Sequence, residues 1–161
     1  MTFQLISDDM KEGDRMPHAQ VANMMGHQGD NISPHLAWSG APAGTRSFAL
    51  TVFDPDAPTG SGWWHWNVVN IAPDVHVLPR GCGSGLGGLP PGAVQTRVDA
   101  GVSSYTGAAP PPGPVHRYIF TIHALSVDSL PLDANASGAM VGFMVNANGL
   151  GKASLTVTYG G

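Results

Sequence analysis

The chain has 161 residues, a formal net charge of −4 at pH 7 and a charged fraction of only 11%. Its 7 Lys+Arg against 11 Asp+Glu form no basic cluster, so the phosphate-facing patch that supplies most nucleic-acid affinity is missing and no nucleic-acid partner is expected. The length suits a single domain over residues 1–161 without staples, and 22 Gly with 14 Pro favour many turns over long helices.

Cys82 is the sole cysteine, which excludes an intrachain disulfide. The opening Met-Thr-Phe-Gln-Leu-Ile lacks a basic and then apolar leader, and no run approaches the ~18 apolar residues of a membrane span. A cytoplasmic setting without a transmembrane segment is the expectation.

In chain order, Phe3–Ile6 reads as a short strand and residues 23–34 as loop. His35–Trp38 is a second short strand. Ser47–Phe53 alternates, with Phe48, Leu50 and Val52 on one face and Ala49, Thr51 and Phe53 on the other. Trp64–Ile71 is apolar on both faces, as a central strand would be. Residues 72–93 are rich in Pro and Gly, with Cys82 in a mobile surface loop as an exposed, incidental thiol. Ala93–Val98 is an edge strand, and residues 99–115 form a second long loop.

His116–Leu125 is the strongest strand pattern, placing His116, Tyr118, Phe120 and Ile122 together and Arg117, Ile119, Thr121 and His123 opposite. Between residues 136 and 148, Ala139, Met140, Phe143, Met144 and Ala147 recur at helical spacing. Gly149 ends that helix, and Ala153–Tyr159 closes the chain as a strand. Together these elements predict a mostly β protein, an antiparallel β-sandwich of two packed sheets with one or two short helices.

The chemistry gathers in two places. Asp54-Pro-Asp56-Ala57-Pro58 is a turn stiffened by its prolines, and His65 follows among Trp63, Trp64 and Trp66. Period-2 spacing puts His116 and Tyr118 on one face, after a loop from Tyr105 to Gly113 that can offer backbone N–H groups. If the two places meet, a carboxylate, two imidazoles, a phenol and loop amides make a small pocket richer in donors than acceptors, suited to phosphate or carboxylate. An isolated histidine beside aromatics is more often a core residue, so the reading rests on the combination.

Asn31-Ile-Ser-Pro-His-Leu-Ala-Trp-Ser-Gly40, Asp54-Pro-Asp-Ala-Pro58, Trp63-Trp-His-Trp66 and His116-Arg-Tyr-Ile-Phe120 resemble, in order, the motifs of the phosphatidylethanolamine-binding protein family. Within it the chain resembles the bacterial Raf kinase inhibitor-like branch, of the YbhB/YbcL type, from about residue 3 to 159. The resemblance implies two packed sheets with a small anion pocket lined or supported by Asp54, Asp56, Ala57, Pro58, Trp63, His65, Tyr105, Gly107, Ala109, Pro111, His116 and Tyr118. It assigns the pocket-facing carboxylate to Asp54, a turn-supporting role to Asp56, a structural anchor to Arg117, and a cis bond to Ala57–Pro58. The branch pattern Tyr-x-Gly-Pro-x-Pro-Pro-x-Gly-x-x-His is kept from Tyr105 to His116 except that Ala108 replaces proline; Ala109 stands where cysteine is frequent, which together imply a roomier, looser mouth.

Three functions follow as expectations. The first is a non-catalytic module binding a small anionic or phosphorylated ligand, without cofactor, for which the family name adds a kinase- or protease-regulatory role and the branch adds a homodimer. The second is a small-molecule enzyme using Asp54, His65, His116 and Tyr118 for acid–base isomerisation, cyclisation or hydrolysis. The third is a metal site built on the two histidines and a carboxylate, although the spacing matches no ligand motif. His18, His27, His35, His76 and His123 are read as surface or packing residues.

Overall fold

The computed structural model describes residues 2–161. Among them, strands β1 (Gln4–Ile6), β2 (Leu36–Ser39), β3 (Ser47–Asp54), β4 (Trp63–Ile71), β5 (Val77–Leu78), β6 (Val94–Gln95) and β7 (His116–Leu125) precede helix α1 (Gly138–Asn148) and strand β8 (Gly149–Tyr159). They build two antiparallel sheets, β1-β2-β5 and β6-β4-β3-β7-β8. The expected sandwich is therefore present, with β3 at the centre of the larger sheet.

Alternation along β3 and β7 sorts the core. Phe48, Leu50, Val52, Phe120 and Ile122 face Leu5, Leu36, Trp38 and Leu78 of the smaller sheet in one buried cluster. On the outer face, Ala49, Val69 and Leu125 pack with Leu130, Val141 and Val145, the last two from α1. The helix begins at Ser137, whose hydroxyl accepts from the Met140 amide at 3.1 Å. It buries Val141 and Val145, not the predicted stripe, because apolar residues surround it; Met140 and Phe143 face solvent.

Two register shifts in β4 matter. Phe48 pairs with Ile71 but Leu50 with Val68, an extra residue absorbed near Asn70, which adopts φ 60° and bonds the Leu130 backbone in both directions. Val52 pairs with Trp66 but Phe53 with Trp64, so His65 is the extra residue of a β-bulge. A bulge breaks strict alternation and re-aims side chains. Here it leaves both His65 and Trp66 buried.

The segment predicted to be a mobile loop around Cys82 is instead stitched into the core. Cys82–Ser84 form a short 3-10 turn, and Cys82 is 3% exposed. Ser33 accepts from Gly83 N–H through its hydroxyl at 2.9 Å and from Gly81 N–H through its carbonyl at 2.8 Å. Gly83 lies against Trp66 so closely that an added Cβ would sit 2.5 Å from the indole. Ser33 lies 50 residues before Gly83, a pairing that composition does not reveal. Strand β8 also begins earlier than expected because Gly149 and Gly151 pair with Leu125 and Ala124 despite poor strand propensity.

Burial pushes the Cys82 thiol up to about 11, so little thiolate exists at neutral pH. Ellman's reagent is expected to modify Cys82 only at the rate of unfolding, with rapid stoichiometric labelling in denaturant.

On the outer face, His123 is held by Thr51, Nε2 to Oγ1 at 3.0 Å. Burial, with a smaller push from Lys152, lowers its pKa to about 4. The unfolded imidazole titrates near 6.5, so below that pH the unfolded state binds the extra proton. Stability is expected to be complete above about pH 6.5 and to fall by on the order of 3 kcal/mol toward pH 4. Denaturation midpoints across that range check this, and His123→Gln should flatten the dependence.

Candidate functional site

The site forms where the end of β3 meets the beginnings of β4 and β7. Asp54 is the last residue of β3 and continues the inward face of Phe48, Leu50 and Val52. It is 2% exposed, and each of its two carboxylate oxygens accepts one hydrogen bond from within the protein. Oδ2 lies 2.7 Å from His116 Nδ1, and Oδ1 accepts the Asp56 amide at 2.7 Å. A carboxylate only accepts, so His116 Nδ1 carries the proton. Burial, reinforced by the Asp54 charge, pushes the Tyr118 hydroxyl far above its usual range and keeps it protonated.

His65 arrives by way of the bulge. Its Nδ1 lies 2.9 Å from the Thr106 carbonyl and therefore also carries a proton. Its ring meets Tyr118 edge-on at 5.1 Å, and Tyr118 stacks towards His116 with centroids 6.5 Å apart. Burial lowers the His65 pKa, only partly offset by the Thr106 carbonyl and the Asp54 charge. Both imidazoles thus turn Nδ1–H inward, leaving Nε2 as the ring atom free for a ligand.

Above these groups lies a cavity of about 370 Å³, within the range of small-molecule sites. Asp54, His65, His116 and Tyr118 line it, as do Ala57, Pro58, Trp63, Gly107, Ala109 and Pro111. Two candidates lie outside its wall. Asp56 is turned to Arg117, which donates to it from Nε, Nη2 and the backbone N–H, each at 2.9 Å. That guanidinium holds the Asp56 carboxyl down at about 2, and Arg117 serves as the anchor the resemblance implied. Tyr105 is buried beneath the loop, its hydroxyl donating to Gln20 O at 2.7 Å.

Three expectations are corrected by geometry. No cis peptide occurs among the described residues, so Ala57–Pro58 is trans. Ala108 is fully buried, and its carbonyl accepts from Ala22 at 3.0 Å, so its side chain widens no mouth. Three of the loop amides are taken up inside the protein and offer nothing to a ligand: Tyr105 N–H goes to Gly83 O, Thr106 N–H to His65 O and Gly107 N–H to Asn31 Oδ1. Among the described residues, no three His, Cys, Asp or Glu side chains converge in a way that would hold a metal ion.

Sequence reasoning missed part of the rim. Met24 and Met25 line the cavity from a segment read only as loop, together with Thr59, Ala100, Thr106, Pro110 and Pro112. Asn31 was the available clue, since it sits in the quoted motif and fastens Gly107 at 2.8 Å and Tyr105 O at 3.2 Å.

A two-sheet sandwich with a buried Asp–His pair under an open cavity defines a small-ligand-binding β protein. The chain belongs to the phosphatidylethanolamine-binding protein family, whose model matches residues 6–160. It is 58% identical over 157 residues to the UPF0098 protein YbhB of Escherichia coli (strain K12), covering 98% of this chain and 99% of that one. The crystal structure of Escherichia coli YbcL, described as a new member of the mammalian PEBP family, superposes with a TM-score of 0.96 at 48% identity, covering 99% of both chains. The PEBP homologue CT736 of Chlamydia trachomatis superposes at 0.81 with 30% identity, covering 99% of this chain and 98% of that one. Among the described residues, no helix is long and apolar enough to cross a membrane.

Long-range imidazole spectra at neutral pH are expected to show the Nδ1–H tautomer for both His65 and His116. Asp54→Leu, which removes the acceptor, should shift His116 to the Nε2–H form and leave His65 unchanged.

Proposed function

We propose that the chain binds the phosphate group of a small phosphomonoester or phospholipid headgroup, taking up a proton as it does so, in a cytoplasmic setting. One observation carries this reading. Both imidazoles spend Nδ1–H on internal acceptors, Asp54 and Thr106, and leave two Nε2 atoms over the cavity floor. Two such nitrogens suit an anion that brings a proton, either as a P–OH donating to Nε2 or by protonating the ring. The buried Asp54 beneath His116 stabilises the imidazolium that results.

Calorimetry with inorganic phosphate and phosphoethanolamine tests the reading. The intact protein should bind both, and His116→Ala or His65→Ala should weaken them by at least about tenfold, the worth of a charge-assisted hydrogen bond. Absence of binding by the intact protein, or full binding by His116→Ala, sinks it. Because burial lowers the His65 pKa, the ring is neutral at neutral pH and gains its proton only on acidification or with the anion. Affinity for sulfate, whose charge is constant here, should therefore rise as pH falls from about 7.5 to about 5.5.

The Asp54–His116 geometry also favours a second reading. A carboxylate on Nδ1 fixes the tautomer and leaves Nε2 as a general base. Acid–base turnover of a small molecule in the same cavity is its content. A substrate screen in which His65→Ala and His116→Ala keep full activity would remove it.

A further inference from the structure

The tip of the 21–31 segment is a stiff turn at the pocket mouth. His27 N–H donates to Met24 O at 3.0 Å, and the central residues Met25 and Gly26 have φ of 54° and 86°. Two consecutive positive φ angles mark a type I′ turn. It holds Met25, 73% exposed, at the rim beside Met24.

The opposite rim is Pro110-Pro111-Pro112, which has no N–H and can hydrogen-bond only through its carbonyls. His27 takes one of these: its Nε2 lies 2.9 Å from Pro110 O and so carries the donated proton. At the base of the same two segments, Ala22 N–H donates to Ala108 O at 3.0 Å. The His27 ring is backed edge-on by Tyr159 at 5.9 Å, and the Arg15 guanidinium sits 4.2 Å from the Tyr159 ring centre. Tyr159 pairs in register with His116. The link between the rims is thus seated on the strand pair that carries the pocket imidazole.

We propose that His27 is a positioning residue that clasps the two rims, retaining ligands whose phosphate bears an apolar group. The proposal rests on the phosphate-group reading above. A bare phosphate meets the imidazoles at the floor, whereas a substituent projecting outward meets Met24, Met25 and the prolines. Opening the rims therefore releases the substituted ligand faster and leaves the bare anion unaffected.

The test compares inorganic phosphate and phenyl phosphate on wild-type protein, His27→Ala and His27→Gln, alongside amide exchange without ligand. His27→Ala should speed phenyl phosphate dissociation by about fivefold, the size of one net hydrogen bond, and change inorganic phosphate affinity by less than about twofold. His27→Gln, which keeps a donor, should restore retention. Without ligand, the amide at position 27 should exchange at least about tenfold faster in His27→Ala as the turn opens locally. Unchanged exchange overturns the clasp, and equal weakening of both probes overturns its selectivity. If wild-type protein binds neither probe, the phosphate reading and the retention claim fall together, and exchange alone decides whether His27 joins the rims.

Discussion

The buried carboxylate of Asp54 is the constraint on which the site depends. An ionised carboxyl group taken out of water is unfavourable unless donors surround it. Here they come from separate parts of the chain: His116 on β7, and the Asp56 amide in the turn that follows β3. Asp56 extends the link by binding Arg117, so the turn is fastened to β7 on both of its faces. Removing one partner of a buried ion pair typically costs about 3–5 kcal/mol, which makes this end of the sheet rigid. The same arrangement turns the obvious donors inward, and for that reason a proton accompanies the anion in the proposed chemistry.

The rim is built on different physics from the floor. Prolines and methionines dominate it, and it is held by a few hydrogen bonds from distant residues rather than by a sheet ladder. Asn31 fixes the inner part of the 105–109 loop, and the Ala22–Ala108 bond fixes its middle. A charged floor under an adaptable apolar rim separates recognition of the anionic group from recognition of whatever it carries.

Much of the fold was legible because strands with one buried face announce themselves by period 2. Ser47–Phe53 and His116–Leu125 appear almost as read, and the pairing of Asp54 with His116 and Tyr118 follows from two antiparallel strands meeting end to start. The unread parts share one cause, contacts between residues far apart in sequence. Cys82 is buried because Ser33 and Trp66 receive the glycines beside it, Tyr105 because Gln20 accepts its hydroxyl, and Met24 reaches the rim because its turn docks on the proline loop. Helix α1 misled for another reason: apolar on all sides, it does not say in its sequence which stripe faces inward.

The bulge at His65 has a consequence for how such a pocket varies. An extra residue in β4 uncouples the spacing of Trp63 and His65 from the ladder that continues through Trp66 and Val68. A change in the length of the 55–62 turn has to keep Asp54 opposite Trp63 and its carboxylate on His116. The binding end of the sandwich thus follows a period of its own, set by the groups buried there and not by the ladder beneath it.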